Sequence, residues 1–145
     1  MNQAQATRTA RPLPHVGRLK TLNPGDFVQT RMSVPSSLIA RLHEIKRRHS
    51  LRTRDAVIGS MLRIARTHHR LADFHLPPEP AEDDPMQAIT AAVQAEQLEF
   101  LYRLQRHFRG AALGAAFEAI ANVVTDLAPP VQLTLINQEG AAVTG

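Results

Sequence analysis

Residues 28–65 read VQTRMSVPSSLIARLHEIKRRHSLRTRDAVIGSMLRIA, and residues 87–124 read QAITAAVQAEQLEFLYRLQRHFRGAALGAAFEAIANVV. The two stretches, Val28 to Ala65 and Gln87 to Val124, align without a gap at a shift of 59 positions, Val93 minus Val34. Val34 meets Val93, Ile39 meets Leu98, Leu42 meets Leu101, Ile45 meets Leu104 and His49 meets Phe108. Farther on, Ile58 meets Phe117, Met61 meets Ile120, Ile64 meets Val123 and Ala65 meets Val124. The correspondence runs through two apolar-periodic segments and the turn between them. Each copy therefore reads as a strand followed by two helices.

Within the first copy, Phe27 to Val34 alternates and is bounded by Asn23-Pro24-Gly25 and by Pro35, which predicts one short strand. Pro35 and Ser36 open a helix in which Ser36 or Ser37 can cap the free amides. Ile39, Leu42 and Ile45 recur at helical spacing down one face to about His49. Ser50 to Arg52 breaks that helix. Thr53 is a good N-cap for the next, Asp55 sits in its first turn where the dipole favours an anion, and Val57, Ile58, Met61, Leu62 and Ala65 form its buried face.

Working outward, Asp73 to Pro85 holds four prolines with Glu79, Glu82, Asp83 and Asp84, and reads as an acidic linker. Extended, it reaches about 40 Å, enough to cross a small domain and start a second strand beside the first. Gln87 to Val93 is that strand, weakened by alanines. Helices at about Ala95–Arg109 and Ala111–Leu127 follow. The expected organisation is a basic arm without apolar period (1–25), a first unit (26–72), the linker (73–85), a second unit (86–128) and a tail (129–145) in which Val131 to Ile136 alternates like an edge strand.

The chain has 145 residues, 43% of them hydrophobic but only 4% aromatic, so its core is expected to be aliphatic and alanine-rich. A copy of about 40 residues is too short to bury a stable core alone, so the copies must pack on each other or on another chain. With no cysteine there is no disulfide framework, thiolate nucleophile or cysteine metal site. No apolar run approaches a membrane span, and the N-terminus lacks the apolar core of a signal peptide, so a soluble, cytoplasmic protein is expected. The net charge of +4 conceals an asymmetry. Residues 1–75 carry 14 Lys+Arg against 4 Asp+Glu, a balance of +10, and residues 76–145 carry 3 against 9, a balance of −6. Lys46, Arg47, Arg48, Arg52 and Arg54 gather around the junction between the first two helices. Such a basic half points to nucleic acid, because lysine and arginine displace condensed counterions from phosphates.

The alternation of the first strand also assigns its faces. Val34 precedes the helix and must face the core, which puts Met32 and Val28 on the inner side and Gln29, Arg31 and Ser33 on the outer. Arg31 can bond the two acceptors of guanine, Gln29 can pair with adenine, and Ser33 can donate or accept. By the same registration the second strand turns out Ala88, Thr90 and Ala92, and its helix junction, Arg109-Gly110-Ala111-Ala112, lacks the basic cluster.

The short strand ending in Val34-Pro35, Leu38 and Leu42 in the first helix, and the junction Leu51-Arg52-Thr53-Arg54-Asp55-Ala56-Val57 resemble the ribbon-helix-helix superfamily, the group of the Arc, MetJ and CopG repressors. The resemblance covers about 40 residues. It implies a mainly α fold with a short antiparallel β-ribbon, here a tandem pseudo-dimer in one chain, whose outer face enters the major groove of double-stranded DNA. Gln29, Arg31, Ser33 and Thr90 then become the candidate base contacts. The resemblance also places the start of the second helix on the DNA backbone, with Arg52, Thr53 and Arg54 as contacts. Lys46 and Arg48, either a solvated helix end or phosphate contacts, and Arg109 complete the candidate set.

Tandem single-chain forms occur among accessory proteins of T-DNA and plasmid transfer, and this chain is similar in architecture. The expected function is therefore sequence-specific DNA binding by a monomeric pseudo-dimer, as a transcriptional repressor or a DNA-transfer accessory factor. The alternative is a homodimeric, antitoxin-like protein whose acidic C-terminal half binds a partner protein. No catalysis, cofactor, metal or membrane partner is expected: His68, His69 and His75 have no carboxylate or cysteine at ligand spacing, and no Ser/His/Asp order or glycine-rich phosphate loop stands out.

Overall fold

The computed structural model describes residues 23–127. The elements are β1 (Phe27–Pro35), α1 (Ser36–Arg48), α2 (Arg54–His68), a short 3-10 turn (Leu71–Asp73), β2 (Met86–Gln94), α3 (Ala95–His107) and α4 (Leu113–Val123). The fold is mainly α with a two-stranded antiparallel sheet. Each strand runs directly into a helix, and the first residues of β2, α3 and α4 follow those of β1, α1 and α2 by 59 positions (86 minus 27, 95 minus 36, 113 minus 54). The register respects the same offset. Arg31 pairs with Thr90, its own counterpart, while Gln29 pairs with Ala92 and Ser33 with Ala88.

Burial follows the alternation. Thr30, Met32 and Val34 from β1 and Ile89, Ala91 and Val93 from β2 form the covered face. Beneath them lie Leu38, Leu42 and Ile45 of α1, Val57, Ile58, Met61, Leu62 and Ala65 of α2, Leu98, Leu101 and Leu104 of α3, and Leu113, Ala116, Phe117 and Ile120 of α4, in one continuous core. On α1 the innermost position is Leu38, fully buried, and Ile39 is only half-buried, because Leu38, Leu42 and Ile45 share the face toward the sheet. Each second helix crosses to the other copy's strand: α2 packs on β2 and α4 on β1. Neither copy owns its core.

Helix starts are closed by the same exchange. The Ser36 amide donates to the Pro85 carbonyl at 2.9 Å and the Ser37 amide to Asp84 Oδ1 at 2.8 Å. In the other copy the Ala95 amide donates to Asp26 O at 2.7 Å and the Glu96 amide to Pro24 O at 3.1 Å. Ser36 and Ser37, expected as caps, are therefore not caps: Pro35 holds the cap position, and both hydroxyls donate to the segment before β2, to Pro85 O and Asp84. Thr53 does cap α2, its Oγ1 accepting from the Ala56 amide at 3.1 Å.

Both helix junctions reverse through a left-handed, non-glycine residue, Ser50 at φ 54° and Arg109 at φ 61°. In each the next amide reaches back five residues, Leu51 to Lys46 O at 2.9 Å and Gly110 to Gln105 O at 3.1 Å, satisfying the last carbonyls of the helix. This turn stops α3 at His107, two residues before the expected end, and α4 begins at Leu113 and ends at Val123, inside the expected span. The arm through residue 22 and the expected strand Val131–Ile136 lie outside the described residues.

Candidate nucleic-acid interface

With its inner face committed to the core, the sheet presents one row of outward side chains per strand. Gln29, Arg31 and Ser33 are exposed on β1; Ala88 and Thr90 are exposed and Ala92 half-buried on β2. Across the strands the order is Gln29 with Ala92, Arg31 with Thr90 and Ser33 with Ala88. Arg31 stands at the centre, and among the described residues no carboxylate lies within ion-pair distance of it. A guanidinium offering five donors on an open strand face can engage a planar pair of acceptors. The row ends in apolar residues that sequence reading did not single out: Phe27, 70% exposed, and Met86, 49% exposed, are counterparts at the 59-residue shift.

Two helix starts grip the ribbon from its flanks, by different means. On one side Asp55 Oδ2 accepts from the Ala92 amide at 3.1 Å, which fixes the first turn of α2 to β2. On the other a Cβ placed on Gly114 would lie 1.8 Å from the Ser33 carbonyl oxygen, so the first turn of α4 rests directly on the β1 backbone. Asp55 and Gly114 are again counterparts at the shift (114 minus 55), as Ala92 and Ser33 are (92 minus 33). The Arg54 and Asp55 amides, at the start of α2, have no intrahelical carbonyl and carry the positive end of its dipole to the ribbon's edge. Arg52 and Thr53 are exposed there, while Arg54 is half-buried with its Nε enclosed and unpartnered among the described residues.

The remaining candidates are spread more widely. Arg48 is directed to Asp126 at 3.2 Å, with Glu44 at 4.0 Å, and Arg47 also pairs with Glu44. His49 Nε2 lies 2.6 Å from Asp126 Oδ1, and this hydrogen bond holds the Asp126 carboxyl below the usual range, helped by the Leu127 amide and Arg48. Lys46 is half-buried on the last turn of α1. Arg109 is exposed at the left-handed position of the second junction. The fold thus joins Gln29, Arg31, Ser33 and Thr90 in one face with Arg52, Thr53 and Arg54 at its flank, and leaves Arg48 engaged elsewhere.

Beneath the ribbon, burial pushes the Tyr102 phenol up, opposed by the neighbouring Thr30 hydroxyl. Among the described residues no three His, Cys, Asp or Glu side chains are grouped as a metal site requires, and no described helix is long and apolar enough to cross a membrane. The Asp55–Gly114 pair is visible in the aligned copies as a charged residue opposite a glycine at the same helical position. No protein-family model, curated protein or solved structure matches this chain.

Proposed function

We propose that the chain is a tandem ribbon-helix-helix protein, a pseudo-dimer within one polypeptide, that binds double-stranded DNA by inserting its two-stranded ribbon into the major groove. The observation that carries this reading is the coincidence of the repeat with the register: the strands pair about Arg31–Thr90, with the polar row exposed outward. The ribbon matches the width of the groove, where base edges carry a distinct donor and acceptor pattern. Arg31 addresses guanine, Gln29 adenine and Ser33 either base class, while Thr90 supplies a hydroxyl and a methyl and the alanines meet thymine methyls. Phe27 and Met86 bracket the row as apolar contacts. The start of α2, with Arg52, Thr53 and Arg54, rests on the phosphates and sets the register of the ribbon in the groove.

Because one strand is polar and the other nearly apolar, the preferred site is not a palindrome, unlike that of a symmetric dimer. A protein of this kind acts as a transcriptional repressor or marks a site for DNA transfer. The homodimeric, antitoxin-like reading is weaker, because the second copy contributes Ile89, Val93, Leu98 and Phe117 to the same core as the first.

Selection of bound sequences from a random duplex library, followed by titration of the winning site, tests the proposal. Arg31→Ala is expected to lower specific affinity about 10- to 100-fold, the worth of one bidentate base contact, with an unchanged melting curve. Unaltered affinity and unaltered sequence preference would refute it.

A further inference from the structure

The C-terminal end of α2, the turn after it and the middle of α3 border an open surface basin of about 550 Å³ that plays no part in the DNA reading. Its wall carries Arg66, Arg70, Arg103 and His69, with Leu71 and Phe100 as its apolar part, and no carboxylate contributes to the lining. Two members of the wall are paired with acids: Glu96 lies 3.5 Å from Arg66, and Asp73 3.4 Å from His69. Among the described residues neither Arg70 nor Arg103 has a carboxylate within ion-pair distance.

The wall is braced. Asp73 accepts from the Arg70 amide at 2.9 Å, and His69 packs on Phe74, which packs edge-on against Phe100 with ring centroids 6.2 Å apart. Three of the basin's positions, Arg66, Phe100 and Arg103, have counterparts on a separate cleft of about 180 Å³ in the other copy. There Arg103 is replaced by Glu44, Arg66 by Thr125 and Phe100 by Arg41, and the neighbouring cations are met by Glu44, Asp126 and Asn122. One copy satisfies its guanidinium groups internally. Its counterpart leaves Arg70 and Arg103 without a carboxylate partner among the described residues.

We propose that this basin is a binding site for a small phosphate-bearing anion. Guanidinium groups favour phosphate oxygens through paired, charge-assisted hydrogen bonds, and the volume suits a ligand larger than a single ion. Arg66 lies eleven positions beyond Asp55, about 16 Å farther along α2 than the turn that holds β2. This inference stands apart from the DNA reading.

The test is calorimetric titration of the full chain with inorganic pyrophosphate, with citrate as a carboxylate comparison. The expected result is saturable binding of one pyrophosphate per chain, weakened at least tenfold in the Arg70→Ala/Arg103→Ala double variant and unchanged in Arg41→Ala and Arg31→Ala. Nε resonances of Arg70 and Arg103 in the unmodified chain should shift on titration, ahead of those of Arg31 and Arg52, a readout that needs no variant to fold. Equal binding by the double variant, equal loss in Arg31→Ala, or tighter binding of citrate than of pyrophosphate would each overturn the assignment. So would a double variant that loses duplex affinity in parallel, which would give the phosphates to a nucleic-acid backbone.

Discussion

The two strands of the ribbon share one geometry and almost none of their surface chemistry. β1 shows glutamine, arginine and serine where β2 shows alanine, threonine and alanine, yet their first and last residues differ by the same 59 positions. The helix starts diverge in the same way: α2 is tied to the ribbon by the Asp55 carboxylate, α4 by bare backbone contact at Gly114. The buried alternation holds the architecture, and every position that does not touch it is free to differ. A repeat bound into one chain can keep one half for chemistry and the other for support.

The largest break in this comparison comes from Gly114→Ala. The added methyl meets the Ser33 carbonyl within bonding range, and relieving that contact has to move α4 off the sheet. A loss of about 3 kcal/mol is expected, a large part of the few kcal/mol by which small domains are stable. Urea titration checks it; a midpoint within error of the parent would show that α4 does not rest on β1.

Next comes a change that makes the strands alike. The variant Ala88→Gln/Thr90→Arg/Ala92→Ser copies the outer row of β1 onto β2. Under the proposed function its selected duplex becomes a palindrome, with a gain of about 1–3 kcal/mol for that site from the second arginine contact. An unchanged selected sequence would remove β2 from the reading face.

A smaller asymmetry lies at the caps of the second helices. Thr53 accepts from the Ala56 amide, whereas its counterpart Ala112 offers no side-chain acceptor. Thr53→Ala should cost about 1 kcal/mol, and Ala112→Thr should recover a comparable amount in the other copy. Thermal denaturation of the two single variants would show opposite shifts if the copies are equivalent in this respect, and shifts of one sign if they are not.

The smallest effect is a pH dependence. Asp84 is held below the ordinary carboxylate range by the hydroxyl and amide of Ser37, while its counterpart in the other copy is Gly25, which has nothing to titrate. A carboxyl depressed in the folded state contributes stability that is present above its unfolded value and lost as pH falls through the folded one, here below about pH 4. Asp84→Asn should flatten the acid limb of the stability profile. An identical limb in the variant would assign the dependence to Asp126 or Asp73, whose carboxyls are also lowered.

Much of this fold was legible because periodicity survives in the residues that meet the core. The shift of 59, read from Val34 and Val93, Leu42 and Leu101, and Met61 and Ile120, locates every strand and helix to within a few residues. The outward direction of Gln29, Arg31, Ser33 and Thr90 follows from the pleat alone. What escaped depends on partners distant in sequence. Ser36 and Ser37 have the chemistry of caps, but the chain returning at Asp84 and Pro85 reaches those amides first. Asp55 looked like a dipole-favoured anion, and its bond to the Ala92 amide appears only when β2 lies beside it. The need for glycine at 114 is of the same kind, since the Ser33 carbonyl that it meets belongs to the strand of the other copy.

The residues that close α1 lie just before β2, and those that close α3 lie just before β1, so both strands of one ribbon belong to one covalent chain. A ribbon built from two separate chains disassembles on dilution, and its abundance falls with the square of the copy number. Here the tether sets the local concentration of one strand around the other at about the millimolar level, whatever the number of molecules present. Under the proposed function, the finished ribbon is as abundant as the polypeptide itself, with a response to dosage that is linear from the first copy made.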